Sequence, residues 1–123
     1  MHRIRVVIAD DERPARCFLA DTLRRFGDVE VIGEAADGIE AIQMIESLHP
    51  DLALLDVRMP EMNGPDVVKQ LKAPVPIVVF ISGADWYAGC SPELGALDCL
   101  LKPVTSARLR ETINSVHVRM GHA

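Results

Sequence analysis

Three aspartates, a serine and a lysine are spaced so that they could handle a phosphoryl group. Asp56 closes the apolar run Leu52-Ala53-Leu54-Leu55, and Asp10 and Asp11 close an earlier one, Val6-Val7-Ile8-Ala9. If these runs are strands of an open parallel sheet, their carboxyl ends lie on one rim and the acids converge. Convergent carboxylates without a basic neighbour repel one another unless they hold a hard cation such as Mg²⁺. Ser82 ends a later apolar run, and Lys102 follows the last one. A lysine side chain can span two strand spacings of about 4.8 Å each, enough to reach Asp56. The set is an acidic cation site, a hydroxyl and an ammonium around one carboxylate.

The elements that must position these groups are legible as alternation. Five short apolar runs alternate with helix-like stretches, the pattern of β-α-β units and a parallel sheet. The first strand is expected at residues 3–9, followed by a helix that opens near Pro14, carries Ala15, Leu19, Leu23 and Phe26, and stops at Gly27. Residues 29–34 read as an edge strand, and residues 38–49 as a helix with Ile39, Ile42, Ile45 and Leu48 on one side, stopped by Pro50. Residues 51–56 and 77–82 are nearly all apolar, as central strands covered on both faces should be. A brief helix is expected at 65–72 and a strand at 97–101, then a last helix capped by Thr105 and bearing Leu109, Ile113 and Val116. Gly89, Ser91 and Pro92 make residues 85–93 a short or irregular element. The expected fold is α/β: a flavodoxin-like, doubly wound, five-stranded parallel sheet in the order 2-1-3-4-5, with helices on both faces.

Composition narrows the function classes. A chain of 123 residues, 49% apolar, is read as one domain over residues 1–123. Its net charge of -5 speaks against direct nucleic-acid binding, which needs basic patches. Cys17, Cys90 and Cys99 lack C-x-x-C spacing and read as reduced thiols, and the apolar run before Asp10 is too short for a signal peptide or membrane span. A cytoplasmic protein without membrane contact is expected. His2, His49, His117 and His122 lie far apart without ligand spacing and read as surface residues.

Taken singly, the candidate residues have plain structural readings. An acidic pair before a helix is often an N-cap, a strand-ending aspartate a turn former, and a lysine before a proline a solvated side chain. Together they carry a resemblance. The pair Asp10-Asp11 with Glu12, the stretch from Asp56 through Met59-Pro60 to Gly64, the strand-ending Ser82, and Gly95-Ala96-Leu97-Asp98 before Leu101-Lys102-Pro103 resemble the receiver domain of two-component response regulators, from Ile4 to about Val116.

That resemblance implies roles residue by residue. Asp56 would be the phosphoacceptor for a sensor histidine kinase, with Lys102 pairing with the phosphoryl oxygens and Ser82 turning its hydroxyl to them. Mg²⁺ would be held by Asp11 directly, Asp10 through water, Asp56, and the backbone carbonyl of Arg58. A cis bond is expected before Pro103. The product would be a switched protein-interaction face acting on a downstream effector domain or protein, with a homodimer as a further option. The domain would be a phosphoacceptor and not a turnover enzyme. The run from Gly95 to Pro103 is similar to receivers that precede a LytTR-type effector.

The chain also departs from that pattern. Three residues before the lysine, where the family carries an aromatic ring, stands Cys99, which lacks the ring's volume, so Trp86 or Tyr87 is expected to carry part of the signal. Two rival functions remain on the same fold. A phosphorylation-independent interaction or dimerisation module is one, although a decayed receiver would be expected to lose Asp56, Asp11 or Lys102. A Mg²⁺-dependent phosphatase is the other, and Arg58 stands where its second catalytic carboxylate would be.

Overall fold

The computed structural model describes residues 3–83 and 95–122. Five strands, β1 (Ile4–Ala9), β2 (Val29–Ala35), β3 (Leu52–Asp56), β4 (Ile77–Ser82) and β5 (Asp98–Leu101), form one sheet in the order β2-β1-β3-β4-β5. All four pairings are parallel. Four helices belong to the described residues: α1 (Arg13–Arg24), α2 (Gly38–Leu48), α3 (Gly64–Gln70) and α4 (Ser106–Met120). The expected fold class and strand order are therefore observed. The irregular element expected at residues 85–93 lies outside the described residues, as do Trp86, Tyr87 and Cys90.

The continuous apolar runs are explained by the pleat. Alternate β3 residues point to opposite faces: Leu52 and Leu54 join one core with Leu19, Leu23, Leu109 and Ile113, while Ala53 and Leu55 join another with Ala41 and Val67. α1 and α4 thus cover one face, and α2 and α3 the other. No solvent-facing side of β3 remains, so no polar residue interrupts it before Asp56, and all five of its residues are buried.

Helix boundaries follow their capping chemistry. Pro14 lies in the first turn of α1, where a missing N–H leaves no bond unmade. Asp37 and Asn63 accept from the N–H groups of Glu40 and Asp66 at the starts of α2 and α3, and Thr105 accepts from Arg108 at the start of α4, as expected. α2 ends on His49 in the left-handed conformation (φ 50°), followed by Pro50.

The expected face of α2 needs correction. Ala41 and Ile45 are buried, but Ile39 and Leu48 are among the exposed large apolar residues. A series spaced by three residues falls back about 60° at each step on a helix of 3.6 residues per turn, so its two ends lie on opposite sides. The buried stripe instead begins at Gly38, where a Cβ would come within 2.7 Å of the Met62 carbonyl oxygen. That close approach seats α2 against the loop after Asp56.

Candidate functional site

Strand register brings the rim residues together. Ala9 pairs with Leu55, Asp56 with Ile81, and Ser82 with Leu101, so Asp10, Asp56, Ser82 and Lys102 leave the sheet at nearly one level. The Asp10 N–H donates to the Ala35 carbonyl, Val57 N–H to Ile81, and Lys102 N–H to Ser82, at 3.1, 2.8 and 2.8 Å. The Lys102–Pro103 peptide is cis, as expected.

The Lys102 ammonium lies among three carboxylates: 3.0 Å from Asp56 Oδ2, 3.1 Å from Glu12 Oε1 and 3.3 Å from Asp10 Oδ2. Asp10 is fully buried and Asp56 only 3% exposed, whereas Asp11 and Glu12 face solvent. Asp56 Oδ1 accepts from the Arg58 N–H at 3.1 Å, which sets the Arg58 main chain beside the central carboxylate. Asp10 Oδ1 accepts from the Glu12 N–H, but the buried Asp10 Oδ2 has no hydrogen-bond partner. Lys102 lies within ion-pairing distance of that oxygen without being aligned to donate to it.

Electrostatics single out Asp56. Burial pushes its carboxyl up to about 6, and the neighbouring Asp10 charge adds to the rise against the opposing pull of Lys102. Lys102 moves upward as well: burial alone would lower it, but hydrogen bonds to Asp56 and Glu12 and the charges of Asp56 and Asp10 outweigh that. One ammonium therefore cannot neutralise the site. Its pull on Asp56 is outweighed by burial and by the adjacent Asp10 charge.

The residues fit a hard divalent cation. Asp10, Asp11, Glu12 and Asp56 each offer a carboxylate oxygen, and these oxygens all lie within 4.8 Å of one another. Hard oxygen donors suit Mg²⁺, and the orphaned Asp10 Oδ2 is a buried acceptor that a cation or its water would satisfy. Of the residues expected here, Asp10, Asp11, Asp56 and Lys102 are gathered, and the Arg58 main chain is adjacent.

Ser82 is buried at the end of β4, with its hydroxyl 3.9 Å from the Cys99 sulfur. Cys99 itself is disulfide-bonded, contrary to the reading of reduced thiols, while Cys17 is a free, exposed thiol. A disulfide sulfur carries no hydrogen, so in that contact the Ser82 hydroxyl is the donor.

Two contributors were given no role from the sequence, Glu12 being named there only as part of the acidic motif. Glu12 belongs to the acid group and bonds Lys102. Arg16 donates to the Asp10 main-chain carbonyl at 2.7 Å and lies 3.6 Å from Glu34. Glu12 precedes the first residue of α1 and Arg16 lies one turn into it, a helical proximity to Asp10 that the sequence did contain.

Comparison with known proteins agrees with this geometry. A family model described as the response regulator receiver domain matches residues 6–114. The chain is 42% identical over 108 residues, 87% of its length, to an uncharacterised response regulatory protein of Vibrio cholerae, of which it covers 46%. It is 39% identical to the transcriptional regulatory protein BtsR of Salmonella typhi, over 90% of this chain and 47% of that one. The REC domain of AraT, a response regulator from Geobacillus stearothermophilus, superimposes with a TM-score of 0.86 at 33% identity, covering 96% of this chain and 95% of that one. This chain belongs to the response regulator receiver domain family. It spans about half the length of the curated relatives it matches.

Proposed function

We propose that the chain is a phosphorylation-controlled switch of two-component signalling, in which Asp56 accepts a phosphoryl group from the phosphohistidine of a sensor histidine kinase. The observation that carries this is the buried Asp56 carboxylate, bonded to Lys102 at 3.0 Å beside the orphaned oxygen of Asp10. An Asp56 oxygen attacks phosphorus as the P–N bond to the donor imidazole breaks, the electron pair returning to that ring nitrogen. The opposing Arg58 N–H holds the carboxylate by its other oxygen, which leaves Oδ2 and Lys102 facing the incoming group.

Lys102 serves twice. Before transfer its ammonium lowers the repulsion among Asp10, Glu12 and Asp56, and afterwards it pairs with phosphoryl oxygens in place of the Asp56 carboxylate. Asp10, Asp11, Asp56 and the Arg58 carbonyl would hold Mg²⁺, which when bound offsets charge on the transferring group. Ser82, bonded through its carbonyl to the Lys102 N–H, would turn its hydroxyl to the new phosphoryl group and so bias the β4–β5 face.

Each transfer consumes the acceptor until hydrolysis restores it, so the domain is a phosphoacceptor and not a turnover enzyme. Its partners would be the kinase and a downstream effector domain or protein, in the cytoplasm. No helix among the described residues is long and apolar enough to cross a membrane. Incubation with acetyl phosphate and Mg²⁺, followed by intact-mass measurement, tests the proposal. A gain of one phosphoryl group that disappears without Mg²⁺ and in Asp56→Asn is expected, and no gain in the parent protein would overturn it.

A further inference from the structure

At the opposite end of the sheet from Asp56, the C-terminal turn of α4 brings together two histidines that are five residues apart in sequence. Gly121 is left-handed (φ 80°), its N–H bonds the Val118 carbonyl, and the His122 N–H returns to the His117 carbonyl at 2.9 Å. This turn folds His122 back over the helix end. The two Nδ1 atoms are then 2.9 Å apart, with ring centroids at 5.1 Å and planes tilted by 47°.

Asp28, just before β2, fixes the chemistry of that pair. Its carboxylate accepts from the two terminal guanidinium nitrogens of Arg110, and Oδ2 also accepts from His117 Nε2 at 2.7 Å. Neutral His117 that donates from Nε2 must carry its lone pair on Nδ1, the atom that faces His122. A carboxylate behind an imidazole, with the opposite ring nitrogen presented outward, is the outer-shell arrangement that orients metal-binding histidines. The Asp28 charge is already engaged by Arg110, so the carboxylate orients the ring and is not itself a ligand.

The two Nδ1 atoms share a hydrogen bond at 2.9 Å, one ring donating to the other. Two nitrogens each about 2.05 Å from one ion are about 2.9 Å apart when they subtend 90°, and about 3.3 Å apart at the tetrahedral angle. An ion that takes the place of the shared proton at adjacent corners of a tetragonal or octahedral centre therefore needs little change in that separation. We propose that His117 and His122 form a binding site for a borderline divalent transition-metal ion of tetragonal preference, Ni²⁺ or Cu²⁺, with Asp28 as its orienting carboxylate and water at the remaining positions. On binding, the proton between the rings leaves or moves to the other nitrogen of His122, and both lone pairs turn to the ion. The bound ion would tie the end of α4 to the loop before β2.

Calorimetric titration with Ni²⁺ tests this, since Ni²⁺ does not oxidise the exposed Cys17 thiol. The His2→Gln background removes the imidazole beside the N-terminal amine, and the carboxylates at 10, 11 and 56 stay in every variant, so any nickel they take is common to all. One site per chain that depends on these histidines is expected, weakened about tenfold or more in His117→Gln and in His122→Gln, and unchanged in His49→Gln. His122 lies beyond the last helical residue, so its variant should keep the metal-free melting temperature and separate lost ligation from lost folding. Equal nickel affinity in the parent and both variants, or a loss that follows His49 instead, would overturn the site.

Discussion

Asp56 is held in a state that its surroundings disfavour. Its carboxyl is raised from 3.8 to about 6, so between those values the folded protein keeps a proton that the unfolded chain releases. Stability therefore falls as pH rises through that window, and the cost of the ionised group is fully present above it. Asparagine at position 56 can still accept from Lys102 but carries no charge. Asp56→Asn should stabilise the cation-free protein by about 1–2 kcal/mol at pH 8, once water at the rim is allowed for, with the gain fading by about pH 4. Denaturant titrations at the two pH values measure this, and an equal effect at both would separate the stabilisation from the charge.

At the scale of elements, the site depends on close backbone contact at the loop after β3. A Cβ on Gly64 would lie 2.7 Å from the Asp56 carbonyl oxygen and 3.3 Å from the Phe80 ring. The backbone must move, because the oxygen belongs to the end of β3 and no flexible side chain can absorb the overlap. Gly64→Ala should cost about 1–3 kcal/mol by overpacking and displace the Asp56 carboxylate. Urea melts of the metal-free protein would report the loss, and unchanged stability would mean that the loop is looser than its contacts imply.

These elements were unevenly legible. The central strands, the Thr105 cap and the first turn of α1 at Pro14 could be read because burial on both faces, a hydroxyl acceptor and a missing N–H leave local marks. The face of α2 could not, since its isoleucines suggested a stripe and the actual buried side is set by tertiary contact at Gly38 and Ala41. Asp56, Asp10 and Lys102 were visible because each ends or follows an apolar run. The contacts of Glu12 with Lys102 and of Arg16 with Asp10 were not foreseen, because acids and bases are common at a helix start. The His117–His122 contact depends on a left-handed Gly121, which pairwise spacing did not suggest.

For the whole molecule, the two-faced sheet explains why a site for charge exists in a chain so apolar. Helices on both faces bury every β3 side chain, and only at the carboxyl rim can the next residue meet solvent and neighbouring acids. The same sheet separates the acid site on one rim from the histidine pair beyond the other, so a phosphoryl group and a transition metal would act on different ends of α4. The chain belongs to the response regulator receiver domain family and spans about half the length of the curated relatives it matches. The deciding measurement is the position of the covalent bond. After exposure to acetyl phosphate and Mg²⁺, borohydride reduces an aspartyl phosphate to homoserine with release of phosphate, and peptide mass mapping locates it. Homoserine should appear at residue 56 alone, and its appearance at 10 or 11 without 56, or at no aspartate in a protein that gained phosphoryl mass, would contradict the assignment.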